Sequence, residues 1–214
     1  MSGIILAPVV VLLLWAGGPL FFLFMLLSLG AALYEWGRMS AAGDRFLADI
    51  ITGLFYLPVS FLSFYALREW FESGFFLSVV LILTVWASDT GAYFTGISLK
   101  GPKMAPAISP NKTWSGLGGA MFFSGIAIFI CMLFAKFLPV SISLTMFDMF
   151  FGFLAGLFLG LIGQAGDLYI SSFKRRVGMK DTGDLIPGHG GLLDRIDALL
   201  LVSPVFCLII WLWM

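Results

Sequence analysis

The chain has 214 residues, 60% of them apolar and only 11% charged. An ordinary soluble domain carries about 25% charged residues, so a soluble globule of this size is excluded. A formal net charge of zero, from 12 basic and 12 acidic residues, excludes a basic nucleic-acid binder.

In chain order, hydropathy divides the sequence into seven candidate spans: 4–16, 20–34, 47–66, 75–95, 114–136, 147–165 and 192–213. A spanning helix needs about 20 largely apolar residues. Backbone inside a bilayer must satisfy its own hydrogen bonds, so these spans are expected to be helices. The runs are too continuous for the alternating strands of a membrane barrel. The predicted fold is therefore all-α: a polytopic integral membrane helical bundle of about seven spans, with short catalytic loops on its cytoplasmic side. No Lys or Arg precedes the first apolar run, so it reads as a retained span and not as a cleaved secretory signal. Gly17-Gly18-Pro19 is a strong turn signal. The spans on either side of it are short for a 30 Å core and suit a tilted or re-entrant hairpin, which leaves the number of full crossings open by one or two. Cys131 and Cys207 lie inside apolar runs without CxxC spacing and read as buried reduced thiols.

The loops differ in charge. Loops 35–46, 96–113 and 166–191 fall on one side of a seven-span arrangement. They hold nine basic residues: Arg38, Arg45, Lys100, Lys103, Lys112, Lys174, Arg175, Arg176 and Lys180. The opposite loops hold two, Arg68 and Lys136. The positive-inside rule makes the nine-residue side cytoplasmic, with the N-terminus inside.

Four carboxylates lie in or against apolar helices: Asp89, Asp167, Asp194 and Asp197. Each would cost about 2.5–3.5 kcal/mol at a helix centre, and all four fall at one membrane depth on the cytoplasmic side. Asp194 and Asp197, three residues apart, share a helix face. Carboxylates without a thiolate or histidine cluster suit Mg²⁺ or another hard cation. The alternative is that each pairs with Arg195, Lys174 or a backbone N–H and binds no metal. The bases are arranged to match. Lys174, Arg175, Arg176 and Lys180 follow Asp167. Lys112 sits in Ser109-Pro110-Asn111-Lys112-Thr113 at the head of a helix, where N–H groups bind phosphate well. Pro187-Gly188-His189-Gly190-Gly191 allows a close backbone approach to an anion. Together these describe a polyphosphate site; the bland alternative for the basic run is headgroup anchoring. His189, the only histidine, reads as a phosphate or ribose contact, a loop-structuring donor or a metal ligand. Glu35, beside Trp36, reads as an interface anchor with a structural salt bridge.

The stretch 171–197, from Ser171 through Lys174-Arg175, Lys180-Asp181, His189-Gly190-Gly191 and Asp194-Arg195-Ile196-Asp197, resembles the signature of the phosphatidate cytidylyltransferases, the CDP-diacylglycerol synthases. Every fixed position of that signature is in place. Ser88-Asp89-Thr90-Gly91-Ala92-Tyr93-Phe94, the block 108–114 and Gly166-Asp167 look like the family's other cytoplasmic-side motifs. The resemblance is strong over about 86–200 and weak in the N-terminal third. It divides the one membrane domain into N-terminal membrane helices, 1–85, and a catalytic membrane region, 86–214. Bacterial members are usually longer, with more membrane-spanning sequence before the Asp89 block, and Asn111 stands where glycine is common.

The resemblance implies transfer of a cytidylyl group from CTP to phosphatidic acid, giving CDP-diacylglycerol and pyrophosphate for phospholipid synthesis. It implies Mg²⁺, with room for a second cation, held by Asp167, Asp194 and Asp197 with Asp89 contributing. Lys112, Lys174, Arg175, Lys180 and Arg195 would neutralise the triphosphate and lipid phosphate, with His189 beside them. Ser109, Asn111, Lys112, Thr113, Gly190 and Gly191 would bind CTP and its phosphates. Lys112 is expected to hold CTP at a distance from the reacting bond, and Lys174-Arg175 to act on the transfer itself. The expected partners are CTP, phosphatidic acid, the bilayer and a second copy in a homodimer, with no nucleic acid. The expected location is the bacterial inner membrane. Two other classes stay open: a related CTP-dependent lipid nucleotidyltransferase or lipid kinase with another acceptor, and a transporter. A transporter predicts acids near the midplane and repeated halves, and this sequence has neither.

Overall fold

The computed structural model describes residues 2–135, 137, 145–185 and 190–213. Among the described residues, seven helices run in the order α1 (Ser2–Ala16), α2 (Gly18–Ala41), α3 (Phe46–Glu69), α4 (Gly74–Leu99), α5 (Trp114–Ala135), α6 (Met146–Arg176) and α7 (Leu193–Trp213). Two short strands, β1 (Lys103–Ala105) and β2 (Ser109–Thr113), lie between α4 and α5. Among the described residues, the six helices from α2 to α7 are long and apolar enough to cross a membrane. Helix α1 has 15 residues and is about 22 Å long at 1.5 Å per residue, short of a 30 Å core.

Between 28% and 39% of each span is buried inside the bundle. The rest is an apolar outer surface that includes Leu26, Phe55, Leu133 and Phe150. In water so large an apolar surface would drive association; in lipid it is the expected exterior. The chain is an integral membrane protein.

Three helices run further than the hydropathy segments. Helix α2 continues seven residues past 34, α4 continues to Leu99, and α6 continues through Lys174, Arg175 and Arg176. Charged residues lower hydropathy without breaking a helix. Helix α6 ends where Gly178 takes φ +73°, and three cations in its last turn suit the helix dipole. At its start, Thr145 Oγ1 accepts from Asp148 N at 3.2 Å and Thr145 N donates to Asp148 Oδ2 at 2.7 Å, a capping box. Its 31 residues make α6 the longest helix, about 46 Å.

The segment 109–113, expected as a loop at a helix head, is strand β2. It pairs antiparallel with β1, with Lys103 opposite Thr113 and Ala105 opposite Ser109. The chain then turns straight into α5, where Gly116 N donates to Thr113 Oγ1 at 3.1 Å, so Thr113 caps the helix as expected.

The core holds Met39, Leu57, Leu81, Leu159, Ile170, Leu193 and Val202 at 3% exposure or less. Helices α5 and α6 touch backbone to backbone: a Cβ on Gly156 would stand 2.6 Å from Gly125 Cα. At one end of the bundle, Arg68 Nε donates to Leu14 O at 2.5 Å and Gly18 N donates to Glu69 Oε1 at 3.0 Å, tying the α1–α2 turn to α3. The segments 42–45, 100–113, 177–185 and 190–192 gather at the other end. There Arg175 Nε donates to Ile108 O at 3.3 Å and Arg176 pairs with Asp49 at 2.6 Å. Cys131 and Cys207 are free thiols, partly exposed on the bundle surface where full burial was expected.

Candidate active site

The charged residues expected to carry chemistry meet at the end with the three polar loops, in two linked clusters. The first lies between α4, α6 and the β-hairpin. Lys112 Nζ, on β2, is 2.6 Å from Asp167 Oδ2 and donates to Gln164 Oε1 at 2.8 Å. Ser171 Oγ, one helical turn further along α6, donates to Asp167 Oδ1 at 3.1 Å. Asp89 on α4 is exposed and within Coulombic reach of Asp167 and Lys112. Asp197 on α7 is within reach of Asp167, Asp89 and Lys174. A small residue makes this possible: a Cβ on Gly166 would stand 2.9 Å from Asp197 O, so α7 packs directly on α6 beside Asp167.

The second cluster is buried. Lys174 Nζ is 2.6 Å from Asp194 Oδ1, and the two side chains are 11% and 8% exposed. Asp194 Oδ2 accepts from Thr182 N at 2.8 Å, Gly191 N at 3.0 Å and Thr182 Oγ1 at 3.1 Å. Glu35 on α2, fully buried, accepts from Leu192 N at 2.7 Å, Leu193 N at 2.9 Å and Thr182 Oγ1 at 2.9 Å. The N–H groups of Gly191, Leu192 and Leu193 are the orphans at the start of α7, satisfied by carboxylates as the helix dipole favours. A Cβ on Gly191 would collide with Thr182 Oγ1 and the Glu35 carboxylate.

Several expectations change at this point. Glu35, expected to anchor the interface through a salt bridge, instead caps α7 through hydrogen bonds and makes no ion pair among the described residues. The N–H of Gly191, expected to face a phosphate, is turned to Asp194. Gly190 takes φ +80°, and a Cβ there would stand 2.9 Å from Asp194 Oδ2. Lys112, expected at a distance from the reacting centre, touches Asp167. Arg175, expected beside it, is exposed and turned to the hairpin, its second contact being Met179 O at 3.2 Å. The reason is helix geometry: Lys174 follows Asp167 by two turns on nearly the same face, so about 10 Å of helix separates the two clusters, while Arg175 lies about 100° further round. Ser109 and Asn111 lie on β2, Asn111 exposed. Lys180 and Arg195 are exposed near the start of α7. His189 lies outside the described residues.

Among the described residues, no three His, Cys, Asp or Glu side chains close on one point as a ready-made metal cage. Mg²⁺ does not require one. It keeps several waters and is held by one or two carboxylates together with substrate phosphates. Asp89, Asp167 and Asp197 are all-oxygen donors at one level, which fits that mode. Asp194 reaches a cation only by releasing Lys174 or the Thr182 and Gly191 donors.

Residues 44–213 match the family model described as the cytidylyltransferase family. The chain belongs to the cytidylyltransferase family. It is 35% identical over 209 residues to the phosphatidate cytidylyltransferase of Rickettsia felis, covering 96% of this chain and 88% of that protein. It is 35% identical to the one of Rickettsia prowazekii, covering 99% and 90%. It is 33% identical to the one of Brucella suis, covering 97% and 90% over 253 aligned positions. That alignment is longer than this chain, so the Brucella protein carries inserted sequence, in line with the expected shortness of this one. The cytidylyltransferase match begins at residue 44 and so leaves out Glu35, whose carboxylate nevertheless seats the helix carrying Asp194 and Asp197. Sequence reading missed this role, and that of Gln164, which holds Lys112. The available signal was the same for both: a polar side chain in an apolar helix.

Proposed function

We propose that this chain transfers the cytidylyl group of CTP to phosphatidic acid, giving CDP-diacylglycerol and pyrophosphate. The observation that carries the reading is the convergence of Asp89, Asp167, Asp197, Lys112 and Lys174 at one end of a membrane bundle in a chain of the cytidylyltransferase family. The curated relatives bear the name of this activity over nine tenths of this chain. They do not favour another acceptor or a transporter.

The phosphomonoester of phosphatidate has a second pKa of about 6 and is already anionic at neutral pH. No strong general base is needed. The phosphate oxygen attacks the α-phosphorus of CTP, the bond to the β-phosphate breaks, and pyrophosphate leaves with the electron pair. The protein's task is to bring two polyanions together and stabilise charge in flight. Lys112, held by Gln164 beside Asp167, neutralises nucleotide phosphates. Lys174, held by Asp194, places a second fixed cation within reach of Asp197. Arg175, Lys180 and Arg195, with His189, extend the cationic rim, while Ser109, Asn111 and Thr113 line the hairpin side. Asp89, Asp167 and Asp197 would hold Mg²⁺ or a pair of cations, with Asp194 joining if its partners yield. When bound, the cation supplies Lewis-acid charge at the phosphoryl oxygens and the leaving group.

In the same reading the chain sits in the bacterial inner membrane with the site at the cytoplasmic face, supported by the nine-to-two bias in basic residues between alternate loops of the sequence. A homodimer belongs to the reading as well, and light scattering of the solubilised protein tests it. The decisive experiment is pyrophosphate release from CTP by purified protein in mixed micelles. It should require both phosphatidate and Mg²⁺ and stop with chelator. Release without phosphatidate, or transfer to a different lipid phosphate in preference, would overturn the assignment.

A further inference from the structure

Tyr56 lies on α3, in the part of the chain where the family motifs are weakest. Its hydroxyl oxygen is buried and has no hydrogen-bond partner among the described residues. A buried hydroxyl left unpaired is costly and calls for an explanation. Two rings fix its direction: Tyr169 meets it edge-on at 5.5 Å between centroids, and Trp36 packs at 5.9 Å.

Its level in the bundle is set by a neighbouring contact. Ser60 Oγ donates to Leu200 O at 2.5 Å, and α3 and α7 both run away from the catalytic end. One turn back from Ser60 is Tyr56; three residues back from Leu200 is Asp197. The two therefore stand at the same height, and Asp197 and Tyr169 are the charged and polar groups within Coulombic reach of the Tyr56 hydroxyl. Asp197 Oδ1 accepts from Ala198 N at 2.8 Å, within its own helix. Among the described residues no side chain donates to it.

We infer that Tyr56 is a positioning residue for the transfer site: its hydroxyl, unpaired in the metal-free protein, donates to the Asp197 carboxylate once a cation is bound and so sets which oxygen faces the cation and the phosphates. Groups behind a ligand commonly orient it in this way, and removing one typically weakens metal affinity 10–100-fold. The inference rests on the reading of Asp197 as part of the cation and phosphate site.

The test is Mn²⁺ binding, followed by electron paramagnetic resonance, to purified protein in detergent, with thermal melts of the metal-free forms. Y56F, D197N, the double variant and Y169F are compared with wild type. Tyr56→Phe keeps the ring and removes a hydroxyl that makes no bond in the metal-free protein, so its melt should equal or exceed that of wild type. Its half-saturating Mn²⁺ concentration should rise about 10-fold. On a D197N background the same change should add nothing, and Y169F should bind as wild type. If D197N weakens binding and Y56F does not, the inference falls and the carboxylate reading stands. If neither changes binding, the carboxylate reading falls and takes the inference with it. A lowered melt in metal-free Y56F, or equal weakening in Y169F, would assign the ring or hydroxyl a packing role and also overturn the inference.

Discussion

The Lys174–Asp194 pair is nine-tenths buried on both sides. Removing one partner leaves an uncompensated charge, which typically costs about 3–5 kcal/mol. K174M or D194N should therefore melt well below wild type. Replacing both charges with neutral groups of similar size removes the desolvation penalty, and an Asn oxygen at 194 can still accept from Thr182 and Gly191 N–H, so K174M/D194N should recover most of the melting temperature yet show no turnover. A double variant that is both stable and active would mean the pair only holds α7 in place. Lys112 offers a second contrast. It touches Asp167, so K112A should reduce kcat about 100-fold, as loss of one fixed donor at a reacting phosphate does. Arg175 is exposed and held by the hairpin, so R175A should mainly raise the KM for CTP. Steady-state rates over a range of CTP concentrations separate the two, and equal kcat losses would contradict the geometry. The acids were legible in sequence because a charge in an apolar run is expensive and stands out. Lys174 and backbone N–H groups were legible as possible partners, but which acid takes which was not, because it depends on how β2 and α7 pack against α6. Hydropathy does not encode that packing.

At the level of elements, the glycines of α6 decide how closely its neighbours approach. Gly156 touches Gly125 backbone to backbone, so G156L must separate α5 and α6 and should lose about 1–3 kcal/mol or more in stability. Gly166 lies against Asp197 O. G166L should displace α7 and carry Asp197 away from Asp167, and a misplacement of about 1 Å can lower the rate 100-fold. Paired melts and rate measurements distinguish the two: G156L is expected to show chiefly as a melt shift and G166L chiefly as a rate loss. The helices themselves were readable from apolar runs. Their polar ends were not, since α6 and α2 continue as helix until a glycine turn stops them. The hairpin of β1 and β2 was also hidden, because two strands of three and five residues leave too little periodicity to register.

Taken whole, the molecule has nine basic residues at the catalytic end and, among the described residues, only Arg68 at the other. The positive-inside rule then predicts that the hairpin and the segment 177–185 face the cytoplasm together. Single cysteines placed at Lys103 and Asp184, in a background lacking Cys131 and Cys207, should resist an impermeant thiol reagent in intact cells and react in inverted vesicles. Labelling from outside would reverse the orientation. Helix α6 adds a constraint of another kind. Asp167 stands 21 residues from Met146, about 32 Å along the axis, close to one hydrocarbon thickness. The helix works as a fixed ruler: with its capped foot at one surface, it sets the height of the carboxylates against the other. A phosphatidate headgroup follows the bilayer, whereas Asp167 follows the helix. Turnover in vesicles should therefore peak at one acyl length and decline in both thinner and thicker membranes, as hydrophobic mismatch lifts the lipid phosphate above the reacting centre or sinks it below.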